Sequence, residues 1–370
     1  MKRWGTLLLL FAFVVPVLAQ EPARGGRGDR VQWGIDLGFQ YYFDNGEFDA
    51  SQSKRVTSGT VHAAVLTPVV SARVHRGAAT HSLNLGADLQ HDMGSQTWSD
   101  AFREGLLYYD GRVRTENGVF EGVAGIYPRR LMRAYYSEAF FSDRNRFLDR
   151  NFEGVLLKWR GSRFYTEAAL DWLGERGYDR KERFQVISAG AWQLARVLSL
   201  GWAADYYHYA GSELAPGVVD HGLLHPWLKL DLAPGTPWQE LSLRGGALLS
   251  YQWDREREAS PSTPGGAEFD VVLRRWNLTL ENNLYLGGDL LPLYDGVDLA
   301  GHPYGDNLYF GHRLYTGFYD RAELRWTPVT GRFVHFQLGI RAHFSADGIE
   351  GWQQVASLRF DLVSHGERRR

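Results

Sequence analysis

The stretch Val31-Gln-Trp-Gly-Ile-Asp-Leu-Gly-Phe-Gln-Tyr-Tyr-Phe43 decides the fold. Val31, Trp33, Ile35, Leu37, Phe39, Tyr41 and Phe43 fall on one face of an extended chain, and Gln32, Gly34, Asp36, Gly38 and Gln40 on the other, because successive strand side chains point to opposite sides. Four further stretches repeat the period. Leu83, Leu85, Ala87 and Leu89 oppose Asn84, Asp88 and Gln90, and Leu241, Leu243, Leu249, Tyr251 and Trp253 oppose Ser242, Arg244, Ser250 and Gln252. Val334, Phe336, Leu338, Ile340 and Phe344 oppose His335, Gln337, Arg341 and His343, and Trp352, Ala356, Leu358, Phe360 and Leu362 oppose Gln353, Ser357, Arg359 and Asp361. The chain is built of two-faced strands.

Two hairpins extend the pattern. With a turn at Asn117-Gly118 and Glu116 opposite Val119, Asp110, Arg112, Arg114 and Glu121 share a face with Tyr127. With a turn at Gly161-Ser162 and Arg160 opposite Arg163, the polar face collects Lys158, Arg163, Tyr165, Glu167 and Asp171, and Leu157, Trp159, Phe164, Leu170 and Trp172 take the other. Short connections are expected near 75–80, 117–118, 161–162, 195–197, 233–237, 274–277 and 328–331. Long ones are expected near 44–58, 94–105, 132–151, 175–183, 211–221, 254–266, 287–316 and 345–350. Fifteen connections make sixteen strands; the even count depends on the cut at 274–277, where the sequence also reads as one long strand, and fourteen strands is the alternative.

Composition agrees with strands. Among 370 residues there are 42 Gly, 13 Trp, 19 Tyr and 20 Phe, with 44% hydrophobic residues. The absence of cysteine removes disulfide scaffolds, thiolate metal sites and cysteine nucleophiles. With 41 basic residues against 43 acidic, no nucleic-acid partner is expected. Residues 1–19 read as a secretory signal: Lys2 and Arg3, an apolar run from Leu7 to Val15, then Val17-Leu18-Ala19 before Gln20. That leaves 20–370 as one domain. No apolar run reaches the ~18 residues of a membrane-crossing helix. In hydrocarbon every backbone amide needs a partner, so two-faced strands without such a helix predict an all-β, closed transmembrane antiparallel barrel in contact with outer-membrane lipid. Trp33, Trp159, Trp172, Trp202, Trp253, Trp326 and Trp352 near strand ends fit the membrane interface.

A barrel of this width leaves a lumen. The candidate lining is Asp36, Asp88, Arg112, Arg114, Glu121, Lys158, Arg163, Glu167, Asp171, Asp205, Lys229, Asp231, Arg244, Glu281, Arg321, Glu323, Arg325, Arg341, Arg359 and Asp361. The loop 132–151 carries Arg133, Glu138, Asp143, Arg144 and Arg146 among aromatics and is not expected to hang free: it either folds inward and narrows the lumen or packs on the outer rim. The longest loop, 287–316, holds Asp289, Asp295, Asp298, His302, Asp306 and His312, and a gating or plug role is an alternative for it. Its Asp-Gly-Val-Asp at 295–298 completes no calcium-loop pattern, and neither metal nor cofactor is expected. Catalytic motifs are missing; the best enzymatic candidate is His343 with Ser357.

These features together resemble bacterial outer-membrane barrels of the porin type. A narrower likeness lies between Glu281 and Pro328. There Asn283-Leu284-Tyr285-Leu286-Gly287, Leu291-Pro292-Leu293-Tyr294, Leu308-Tyr309-Phe310-Gly311 and Tyr319-Asp320-Arg321 look like blocks in uncharacterised outer-membrane proteins of the Bacteroidota. The chain departs from many porins in lacking a terminal aromatic: a basic tail, 363–370, follows Leu362. The resemblance bears on location and fold; the two-faced strands around a charged lumen lead to the expectation of a non-enzymatic channel through which small polar solutes diffuse. The alternatives are an outer-membrane enzyme acting on lipid or glycan, a structural or surface-assembly barrel with a plugged lumen, and a secreted soluble β-protein. Homo-oligomers are left open, since no flat apolar outer patch stands out.

Overall fold

The computed structural model describes residues 31–49, 56, 58–178, 180–214, 216–293, 297 and 314–363. The signal 1–19, Asp295, Gly296, Asp298, His302, Asp306, His312 and the basic tail from 364 lie outside the described residues.

Sixteen strands form among the described residues: β1 (Gln32–Phe48), β2 (Gly59–Arg76), β3 (Ala79–Asp92), β4 (Phe102–Thr115), β5 (Gly118–Pro128), β6 (Asn151–Arg160), β7 (Phe164–Gly174) and β8 (Arg183–Gln193). The second half comprises β9 (Leu198–Ala210), β10 (Val218–Asp231), β11 (Glu240–Asp254), β12 (Gly265–Arg275), β13 (Leu278–Gly287), β14 (Gly317–Thr330), β15 (Val334–Ser345) and β16 (Gly348–Val363). Each pairs antiparallel with its chain neighbours, and β16 pairs with β1 from Asp36↔Val363 to Phe48↔Gly351, which closes the barrel. The cut at 274–277 is real. Arg275 pairs with Leu278, and Trp276 makes the reversal with a φ of 56°, the left-handed region that turns of this kind need.

Alternation turns the apolar face outward. Trp33 is 67% exposed and Leu85 63%, whereas Asp88, Glu167, Glu323 and His343 on the alternate positions are buried. Both hairpins sit two residues from the expected register, with Arg112↔Glu121 and Lys158↔Glu167. A slip of two preserves the faces where a slip of one would exchange them, so the polar sets survive. One connection differs from expectation: the eighth long loop, 345–350, is a two-residue reversal at 346–347 with Ser345 opposite Gly348. An Asp-Gly pair, Asp347-Gly348, makes it, and Gly348 has a φ of 124°.

The inner face holds more apolar bulk than a water-filled lumen would. Leu106, Val123, Tyr127, Leu156, Ile187, Tyr207, Leu223, Leu248 and Tyr285 point inward and pack with Leu131, Tyr136, Phe140 and Phe141 of the loop 129–150 and with Leu290, Leu291, Leu314 and Tyr315 of the loop after β13. Opposite, Tyr42, Ala63, Val65 and Val355 receive Phe147 of a short helix, α1 (Asp143–Leu148), whose N-terminus Ser142 caps by accepting from the Asn145 N–H at 3.2 Å. The interior is largely a core, displaced toward one side.

Candidate functional site

The loop 129–150 crosses the lumen. Its neck is clasped where the Arg129 N–H donates to the Arg150 carbonyl at 2.7 Å and the Arg129 Nε to the Asp149 carbonyl at 2.8 Å. Glu167 on β7 then accepts from the Arg133 and Ala134 N–H groups at 2.8 and 3.0 Å and from the Tyr136 hydroxyl at 3.0 Å. On β12 the Tyr135 hydroxyl donates to Asp270 at 2.7 Å and the Ser137 hydroxyl to Glu268 at 2.6 Å. The Arg244 guanidinium lies 3.3 Å from the centre of the Tyr135 ring while bonding Asp270 at 3.1 Å. Farther round, Glu138 meets Arg321 at 2.6 Å, Asp143 pairs with Arg341, and Arg144 reaches Asp44 on β1 at 3.2 Å. The loop therefore touches strands on opposite sides of the ring.

Several candidates converge under the loop. Arg321 contacts Glu138, Glu281 and Glu323; Arg325 contacts Glu323 at 2.8 Å and Glu281 at 3.3 Å; Arg341 contacts Glu323 at 2.9 Å. Three guanidinium groups thus share Glu138, Asp143, Glu281 and Glu323, and buried charges persist only when paired and hydrogen-bonded in this way. Burial works against ionisation of Asp143, but Arg341, Arg146 and Arg325 outweigh it and hold the carboxyl below the ordinary carboxylate range. For Glu138 burial wins over Arg321 and Arg341, and its carboxyl is pushed up.

Other candidates form smaller sets. Glu121 binds Lys158 at 2.6 Å and lies 3.8 Å from Arg112; Lys229 meets Glu240 at 3.4 Å; Arg359 meets Asp361 at 2.8 Å. Asp171 accepts from the Glu153 N–H at 2.9 Å, Asp205 from Gln185 at 2.9 Å, and Asp231 from the Ala233 N–H at 3.1 Å. Arg114 and Arg163 are exposed at the short-turn end, and Asp36 stands partly buried on β1; none joins the loop's contacts. The Arg146 guanidinium lies 5.9 Å from the Phe141 ring.

Sequence reasoning missed Asp44, Glu104, Glu268, Asp270 and Asn151. Asp44 and Asn151 fell inside expected loops, while Glu268 and Asp270 alternate with Phe269 and Val271 and were readable as a polar face. The His343 and Ser357 pair does not form: the ring nitrogens of His343 lie 2.9 Å from Tyr319 and from Gln353, and Ser357 stands opposite Gln337. Among the described residues no cluster of three or more His, Asp or Glu is arranged to hold a metal.

Among the cavities beside the core, two lie along the wall that runs from β15 through β1 to β4. One, of about 780 Å³, opens toward the long-loop end between Val61, Gln90, Asp92, Glu104 and Asp149. The other, of about 440 Å³, lies toward the short-turn end between Gln40, Thr67, Arg146, Phe147, His335 and Arg359.

No family model and no curated protein matches the chain. Similar solved structures include OpdL of Pseudomonas aeruginosa, 12% identical with a TM-score of 0.49, covering 90% of this chain and 99% of that one. OccK2 (OpdF) of Pseudomonas aeruginosa, solved in complex with glucuronate, is 13% identical with a TM-score of 0.49, covering 90% and 97%. A mutant of the Rh. blastica porin is 10% identical with a TM-score of 0.42, covering 90% and 100%. Likenesses this distant identify no family and do not bear on the Bacteroidota resemblance; the fold rests on the strand pairing itself.

Proposed function

We propose that the chain is an outer-membrane channel of the porin kind, through which small polar solutes diffuse past a loop that narrows the lumen. The observation that carries this is a closed barrel, apolar outside, whose inward loop anchors Glu138, Asp143 and Arg144 on wall charges and leaves two polar cavities on one side. Arg133 and Arg146 belong to the same narrowing segment, and the paired lining residues would supply the transverse field that sorts solutes by charge. Export by residues 1–19, with cleavage before Gln20, goes with this reading, as does a barrel in contact with outer-membrane lipid with its long loops outward. The test is planar-bilayer conductance of the folded, purified protein. Discrete channel steps support the proposal, and their absence from protein shown to be folded refutes it. The interior core favours a second reading, a surface-assembly barrel closed to solutes, and the same measurement separates the two.

A further inference from the structure

The two cavities share three lining residues, Asp88, Arg150 and Asn151. We infer that this trio is the partition between an outer and an inner chamber, and that passage along the β1–β3 wall requires Arg150 to leave Asp88. The inference deepens the channel reading and rests on it.

The geometry is that of a latch on a fixed frame. The Arg150 Nε lies 3.3 Å from Asp88 Oδ2, and its Nη1 donates to Gln90 Oε1 at 2.9 Å and to the Phe147 carbonyl at 2.7 Å. Asn151 Nδ2 donates to Asp88 at 2.8 Å and to Glu104 at 2.7 Å, and the Thr67 hydroxyl donates to the other Asp88 oxygen. Asp88 and Gln90 belong to β3 and Asn151 to β6, so strand pairing fixes the main chain that carries them. Arg150 differs. Its main chain is clasped by Arg129, but its side chain ends between two open spaces. Rotation about its χ angles joins the chambers while the loop stays seated. The loop's ion pairs differ in freedom: the Arg341 that holds Asp143 is 4% exposed, the Arg150 side chain retains 14%, and Arg144 and Arg130 are more exposed but line no boundary shared by the two cavities. Moving Arg341 would strand several buried charges.

The test uses the full folded protein in planar bilayers with potassium chloride as the probe, comparing wild type, Arg150→Ala and Asp88→Asn. Arg150→Ala joins the chambers, so single-channel conductance rises and the uncompensated Asp88 favours cations. Asp88→Asn is isosteric, since its amide can face the Thr67 hydroxyl, which turns to accept, while its oxygen keeps Asn151. It leaves Arg150 uncompensated and shifts the potassium-to-chloride permeability ratio toward chloride by about fivefold at low ionic strength, the factor a unit charge gives at ~4 Å in water. Folding is verified by heat-dependent electrophoretic mobility, and if Arg150→Ala does not fold, the reversal potential of Asp88→Asn decides alone. A silent folded wild type overturns the channel reading and the partition with it. Variants matching wild type in conductance and reversal potential overturn the partition while leaving the pore intact. Silence in all three folded proteins overturns both.

Discussion

Replacing Glu167 by glutamine should release the loop without opening the barrel. Each oxygen of this buried carboxylate takes one main-chain N–H, from Arg133 or Ala134, and one phenol, from Tyr165 or Tyr136. A phenol can turn and accept from an amide nitrogen, but a peptide N–H cannot. Whichever way the glutamine amide sits, one buried N–H faces another donor, which costs about 1–3 kcal/mol, and the remaining bonds lose their charge assistance, so the docked loop is weakened by about 3 kcal/mol in all. That raises the undocked population roughly 150-fold, at 1.36 kcal/mol per decade. Strand pairing is untouched, since Glu167 stands opposite Lys158 and Ala189 through its backbone. Trypsin cutting at Arg133, Arg144 or Arg146 in the folded barrel reports the undocked fraction when opening is fast. Glu167→Gln protein that stays folded and is cut at the wild-type rate would refute the view that this carboxylate seats the loop.

Glu323→Gln removes the charge shared by Arg321, Arg325 and Arg341, and should destabilise the barrel by about 3–5 kcal/mol, read as a lower urea midpoint. Asp143 has a lowered folded pKa, so its contribution is complete above the ordinary carboxylate value of ~3.9 and fades as pH falls below it. Hydrogen exchange in residues 140–149, corrected for intrinsic rates, should therefore accelerate between pH 5 and pH 3, and Asp143→Asn should flatten that dependence. At Gly201 an added Cβ would come 2.2 Å from the Trp227 ring, which packs edge to face against Tyr135 at 5.8 Å. Gly201→Ala should cost about 1–3 kcal/mol by overpacking and raise tryptic cutting of the loop; unchanged cutting would show that Trp227 does not brace Tyr135.

Strand number and facing were legible because alternation is local and survives errors of two residues, as the hairpins at 116–117 and 161–163 show. The reversal at 346–347 was oversized because Asp347-Gly348 was passed over as a turn signal. The interior core was harder to read. On β8 both Val186 and Ile187 are apolar although they face opposite ways, so alternation blurs where the lumen is filled from within. Length and amphipathic composition said only that the loop 132–151 would not hang free, which left inward folding and rim packing both open, and its partners were not legible at all. Arg144 and Asp44 lie 100 residues apart, Glu138 and Arg321 183, and Asp143 and Arg341 198, and no local pattern links such pairs.

The join between β1 and β16 unites strands from opposite ends of the chain, and the crossing loop grips both sides of it: Arg144 holds Asp44 on β1, Arg130 reaches Asp361 on β16 at 3.2 Å, and Asp143 holds Arg341 next door on β15. An unzipped sheet would carry these anchor points far apart, with no single position for the crosspiece to occupy. Zipping that last seam and seating the crosspiece are consequently one cooperative act, and a curl of sixteen strands with fifteen seams made would wait with its interior unfilled.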